Sequence, residues 1–171
     1  FEKSLTANLI NEDVMSTQHT IAFQGVPGAY SHLSCQAFCP ELKAVAYESF
    51  SGMLRAVQVG ECDAAMVPVE NSTAGRVADI HRLLPNSGLH IVSEHFQPVN
   101  HQLLGVKGAK LSDINEAHSH EQGLAQCREK LEMLGITPII HSDTAGAARD
   151  VAKWGELTKA AIASKLASDI Y

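Results

Sequence analysis

The stretch MVPVENSTAGRV, Met66 to Val77, passes from apolar to polar within a few residues. Met66, Val67 and Val69 suit a buried strand. Glu70, Asn71, Ser72 and Thr73 then bring a carboxylate, an amide and two hydroxyls together, with Gly75 close behind. In open α/β sheets, ligands bind beyond the carboxyl ends of the strands, where helix N-termini point. A strand that runs out into small polar groups therefore predicts a binding fold of this kind.

The same alternation continues in both directions. Upstream, TIAFQG from Thr20 reads as a strand, with a helix through Ser31 to Phe38 after it. AVAYES is a second strand, and Ser49 caps a helix through Met53, Leu54 and Val57, because its hydroxyl can accept from the first free amides. AAMVPVEN is the third strand and ADIHRLL the next helix, closed by Pro85 and Gly88. Downstream, LHIVSEHFQPVNHQLLGV is a long extended run with Pro98 in its middle, suited to carrying the chain from one lobe to another. NEAHSH leads into a helix through Leu124, Cys127, Leu131 and Leu134, ended by Gly135. ITPIIHS and KAAIAS read as strands, DTAGAARDVAKWG and KLASDIY as helices. The pattern predicts an α/β fold with mostly parallel sheets in two lobes, residues 20–97 and 98–171. Residues 1–19 read as an extension or linker, with a helical spacing at Phe1, Leu5, Leu9 and Ile10.

Five junctions, GAYS, ENST, SHEQ, SDTAG and IAS, deliver small polar residues straight into a helix start. Free amides and the helix dipole favour anions there. Taken singly, each is better explained by capping than by a ligand: Ser119 with Gln122 fits a capping box and Asp143 suits an N-cap. Together they predict a cleft that binds an anion.

Composition narrows the function. The chain is 45% hydrophobic and 19% charged over 171 residues, ordinary for a globular protein. A net charge of -6 and only 5% aromatics argue against a nucleic-acid partner. No apolar run reaches the length of a membrane span. Cys35, Cys39, Cys62 and Cys127 are too scattered for a disulfide scaffold and read as buried thiols of a reduced, cytoplasmic protein. GVPGAYS is neither a Walker loop nor a dinucleotide fingerprint, and no GxSxG elbow is present. His118 and His120 form an HxH pair for which the sequence offers no third ligand, so no metal is expected. Glu70 could serve as a general base or order the turn that follows it.

In order, the segments FQGVPGAYSH, VPVENSTAGRV, NHQLLG, SHEQGLAQC, SDTAGAARDVA and AAIAS resemble the prephenate dehydratase family, over Ile21 to Tyr171. The resemblance implies two α/β lobes, similar in architecture to periplasmic binding proteins, with the active site in the cleft between them. It implies a lyase of phenylalanine biosynthesis, in which prephenate loses its ring carboxylate and hydroxyl to give phenylpyruvate, CO2 and water. Aromatisation drives that elimination, so no cofactor is expected. The substrate is a small dicarboxylate, and a net-acidic protein must hold it with local donors.

By matching motifs, the resemblance implies that Asn71, Ser72 and Thr73 take part in catalysis. Ala29, Tyr30, Ser31 and Gly75 line the pocket from the first lobe. Ser119, His120, Gln122, Thr144, Ala145 and Gly146 face it from the second. Glu70 is expected to order the ENS turn. Glu121 and Gly123 stand where SHPQAL is more usual in the family. The family's Thr-Arg-Phe motif, whose threonine is the expected proton donor, falls beyond Tyr171, as does the regulatory phenylalanine-binding domain. The 171 residues alone are therefore expected to be folded in the first lobe but inactive, and either to self-associate or to leave the second lobe poorly ordered. An arogenate dehydratase and a non-catalytic receptor for a small carboxylate are the alternative readings.

Overall fold

The computed structural model describes residues 19–171, so the helical spacing at Phe1 to Ile10 lies outside the described residues. Two sheets organise the rest. The first has the order β2-β1-β3, all parallel, from β1 (Thr20–Gln24), β2 (Lys43–Tyr47) and β3 (Ala64–Met66). Ile21, Ala22 and Phe23 are buried on both faces of the central strand, which is why TIAFQ reads as a continuous apolar run. Helix α1 (Tyr30–Phe38) and helix α2 (Phe50–Gln58) follow β1 and β2. The Ser49 hydroxyl caps α2 by accepting from the Gly52 amide, 3.1 Å away, and α2 turns Met53, Leu54 and Ala56 into the core.

AAMVPVEN is not one strand. β3 stops at Met66, and Glu70–Asn71 (β4) instead pairs antiparallel with Gly75–Arg76 (β5) in a two-strand hairpin. Pro68 supplies the reason: it has no amide to donate to a ladder, so the parallel sheet cannot continue through it. Helix α3 (Ala78–Leu83) and a 3-10 turn at Leu84–Asn86 follow.

The long extended run is also shorter than its pattern suggests. Only Gln102–Gly105 forms a strand, β6; Leu89 to His101 makes no ladder among the described residues. Pro98 breaks the run, and Ile91, Val92 and Phe96 lie exposed.

The second sheet has the order β6-β9-β7-β8, with β7 (Glu116–Ser119), β8 (Thr137–Ile140) and β9 (Lys159–Ala163). β6 is antiparallel to β9; the other pairs are parallel. Helix α4 (Glu121–Leu134) ends at Gly135, whose φ of 67° is the left-handed conformation a helix C-terminus commonly needs. Helix α5 (Thr144–Trp154) presents Ala145, Gly146, Ala147 and Ala148, all buried, and packs close against the alanines of β9. Small residues on both sides allow that approach.

Helix α6 (Lys165–Ile170) ties the second sheet to the loop after β1. The fully buried Ser164 hydroxyl donates to the Gly28 carbonyl at 2.6 Å and accepts from the Ala167 amide at 3.0 Å. The Tyr171 hydroxyl donates to the Pro27 carbonyl at 2.9 Å. Gly28 has φ of 91°, and a β-carbon there would lie 2.8 Å from the Ala167 Cα, so only glycine fits both the turn and the contact. Among the described residues no helix is long and apolar enough to cross a membrane.

Candidate active site

The hairpin that opened the sequence reading is built by Asn71. Its side-chain oxygen accepts from the Thr73 and Ala74 amides, at 2.9 and 3.0 Å, closing an Asx-type turn. This corrects the expectation for Glu70: that carboxylate is exposed, and Asn71 orders the turn. Ser72, Thr73 and Gly75 are exposed at the tip, and Gly75 holds φ of 79°. Among the described residues the Asn71 amide nitrogen has no partner, so it is open as a donor.

Thr73 reaches a wide-open surface depression of about 700 Å³ that it shares with Val99, Asn100, His101, Gln102, Gln126 and Cys127. Residues of both lobes meet there. His101 receives two partners: the Tyr30 hydroxyl lies 3.0 Å from Nδ1 and the Gln126 side-chain oxygen 2.9 Å from Nε2. The Tyr30 and His101 rings also meet edge to face, with centroids 5.5 Å apart. Burial, reinforced by the neighbouring Cys127 thiol, pushes the Tyr30 hydroxyl up to about 12, so it keeps its proton. Behind His101 the packing is tight. A β-carbon on Gly123 would stand 2.9 Å from Ser119 Oγ, 3.5 Å from His101 Cε1 and 3.6 Å from Thr144 Cγ2.

Helix α1 begins beside this depression with Tyr30 and Ser31, both half-buried. Its N-cap is Ala29, which offers no side-chain acceptor, and its first turn holds no acidic residue. The amides there are left for an outside acceptor. Just before the helix, the Gly28 amide donates to Nδ1 of His32, 3.1 Å away. The His32 ring stacks on Phe23 at 4.9 Å, and burial lowers its pKa.

The second-lobe residues are placed differently from one another. Ser119 does not cap α4: it lies fully buried on β7 and donates to the Ile162 carbonyl at 2.7 Å. The N-cap is His120, whose Nδ1 accepts from the Gln122 amide at 3.3 Å, while the Gln122 side chain is exposed. Asp143 caps α5 as expected, taking the Gly146 amide at 2.6 Å. That amide is thereby spent, and Ala145 and Gly146 are buried behind the half-buried Thr144. His118 has partners of its own: its Nε2 lies 3.1 Å from a Glu116 carboxylate oxygen and its ring meets Trp154 edge to face. Among the described residues no group of three histidine, cysteine, aspartate or glutamate side chains could hold a metal.

Sequence reasoning missed His101 and Gln126. NHQLLG drew attention only as a motif, and no local spacing connects His101 to Tyr30, 71 residues earlier.

Fold and site together define a two-lobed α/β domain with a polar cleft between its lobes. The chain belongs to the prephenate dehydratase family, whose model matches residues 21–171. It is 46% identical, over 91% of its length, to a bifunctional N-acyl-homoserine lactone acylase/prephenate dehydratase of Komagataeibacter europaeus. It is 43% identical, over 99% of its length, to an arogenate dehydratase/prephenate dehydratase of Arabidopsis thaliana. The chain spans 56% and 43% of those two relatives. A solved prephenate dehydratase from Arthrobacter aurescens, in complex with L-Phe, matches 89% of the chain at 27% identity with a TM-score of 0.82; the chain covers 52% of it.

Proposed function

We propose that this chain forms the substrate cleft of a dehydratase that converts prephenate to phenylpyruvate. The observation that carries the reading is the depression where Thr73 of the ENST hairpin meets His101 and Gln126 beside the open N-terminus of α1. The reaction takes up one proton and releases CO2 and water. The ring carboxylate leaves as CO2, its bonding pair moves into the ring, and the hydroxyl departs with the added proton. In this cleft the α1 amides and the Asn71 amide nitrogen hold the carboxylates. Ser72, Thr73, Ser31 and Thr144 supply hydroxyl donors around the ring. His120, Gln122 and Gly75 complete the rim, while Ser119, Ala145 and Gly146 support it from within. Residues 20–97 and 98–171 act as the two lobes, in a cytoplasmic enzyme that works as a homo-oligomer.

Arogenate is the alternative substrate, favoured by the paired activities in the name of the Arabidopsis relative. The test has two arms. Prephenate, arogenate and, for the second activity named in the Komagataeibacter relative, an N-acyl-homoserine lactone are each assayed for turnover. Amide exchange is measured with and without phenylpyruvate. Protection is expected at Tyr30 to His32 and Asn71 to Thr73; protection confined elsewhere removes the assignment. Binding there without turnover of any substrate by the full-length protein leaves the carboxylate receptor as the better reading.

A further inference from the structure

We propose that His101 is a positioning residue that latches the two lobes together, holding Tyr30 on one side and Gln126 on the other so that the cleft keeps one width. The geometry is a chain of two hydrogen bonds through a single ring: Tyr30 Oη to Nδ1 at 3.0 Å, Nε2 to Gln126 Oε1 at 2.9 Å. Tyr30 opens α1 in the first lobe, Gln126 lies on α4 in the second, and His101 stands where the second lobe begins, one residue before β6. A neutral imidazole donates from one nitrogen and accepts at the other. Gln126 turns a carbonyl oxygen toward Nε2, so Nε2 carries the hydrogen and Nδ1 accepts from the Tyr30 hydroxyl. Burial keeps the tyrosine protonated, which supplies the donor this arrangement requires.

Both ring nitrogens are thereby occupied, which separates His101 from the proton-transfer step. Its work is mechanical. His101 lines the depression together with Thr73 and Gln126, and its ring sits against the site where Gly123 meets Ser119 and Thr144. Movement of the ring shifts the wall of the depression and the spacing between the N-termini of α1 and α4. A substrate that needs donors from both lobes binds the latched arrangement better, so latch and ligand are linked and each favours the other.

The inference rests on the cleft reading for its functional readout, and the experiment keeps the two apart. Phenylpyruvate affinity is measured for the parent, Tyr30→Phe, His101→Ala and the double variant, with thermal melting as the check on folding. Two ordinary hydrogen bonds lost predict roughly a tenfold weakening for His101→Ala. If the latch operates, adding Tyr30→Phe costs no more than about a further twofold. Full multiplication of the two losses, or a His101→Ala variant that binds like the parent, overturns the latch. Tyr30→Phe removes only a hydroxyl, and so serves if His101→Ala does not fold. A parent that binds no phenylpyruvate overturns the proposed function instead. Nitrogen NMR of the ligand-free protein at pH 8 then decides the latch alone. The Nε2-protonated tautomer is expected in the parent, with a changed Nδ1 resonance in Tyr30→Phe. The opposite tautomer, or an Nδ1 resonance indifferent to Tyr30, refutes it.

Discussion

Replacing Ser164 with alanine tests whether the second sheet is fastened to the β1–α1 loop as the structure indicates. The hydroxyl does two things. It caps α6 by accepting from the Ala167 amide at 3.0 Å, and it satisfies the Gly28 carbonyl at 2.6 Å. Loss of an N-cap costs about 1 kcal/mol. Leaving a buried acceptor unpaired costs about 1–3 kcal/mol more, because the site is closed to water. Ser164 is fully buried, so the whole of the second cost applies. The sum, about 2–4 kcal/mol, corresponds to a fall in Tm of roughly 4–16 °C for a domain of this size. Ser49→Ala is the control: Ser49 is an exposed N-cap with one amide partner, and carries only the first cost. Thermal unfolding of both variants, followed by circular dichroism, reads the difference. A Ser164→Ala variant that melts no lower than Ser49→Ala refutes the assignment of the Gly28 contact.

Gly28→Ala forces a β-carbon to 2.8 Å from the Ala167 Cα at φ of 91°. Backbone strain and overpacking together cost about 2–5 kcal/mol; a melting point within about 2 °C of the parent contradicts this. In the full-length protein, Asn71→Asp keeps the oxygen that closes the hairpin and removes the nitrogen donor, so the protein should stay folded while turnover falls by about a hundredfold. Unchanged turnover takes Asn71 out of the substrate site. The Asp150 carboxyl is held below the usual range chiefly by Arg149, at 2.9 Å; burial opposes this, and His141 adds a lesser lowering effect. A depressed carboxylate stabilises the fold above its unfolded pKa, and that stability is lost as pH falls through the folded value. Asp150→Asn should therefore flatten the decline of the urea midpoint below about pH 4; an unaltered acid limb counts against it.

The alternation of strands and helices was legible because each periodic run carries its own stop signal. Gly135 and Gly155 end helices in the left-handed conformation, and Ser49 and Asp143 start them with side-chain caps. The two long strands were misread because apolar content does not reveal whether a ladder partner exists. Val67 to Val69 and Leu89 to Val99 look like strands by composition, yet Pro68 and Pro98 lack the amide a ladder needs. Ser119 looked like a cap because Gln122 sits three residues on, but β7 runs one residue too far and buries it. His101 was invisible as a site residue, since its partners come from helices on either side of it in sequence.

The five strand-to-helix junctions looked alike in sequence and are unlike in structure, and the difference lies in who accepts from the first amides. Asp143 fills α5 with its own carboxylate, Ser164 fills α6, and His120 fills α4, which also carries Glu121 in its first turn. The hairpin uses Asn71 for its own turn but leaves the amide nitrogen free. Among the α-helices of the described residues, only α1 begins with neither a capping side chain nor an acid in its first turn. On the proposed reading an acidic chain gains nothing from its overall charge in binding a dianion, so affinity would come from amides that no group among the described residues has claimed. Those amides open the helix that Tyr30 begins, and Tyr30 is the residue that His101 joins to the other lobe. The free donors and the contact that sets the cleft width are thus neighbours on one helix turn. A carboxylate docked there would report directly on whether the lobes are latched.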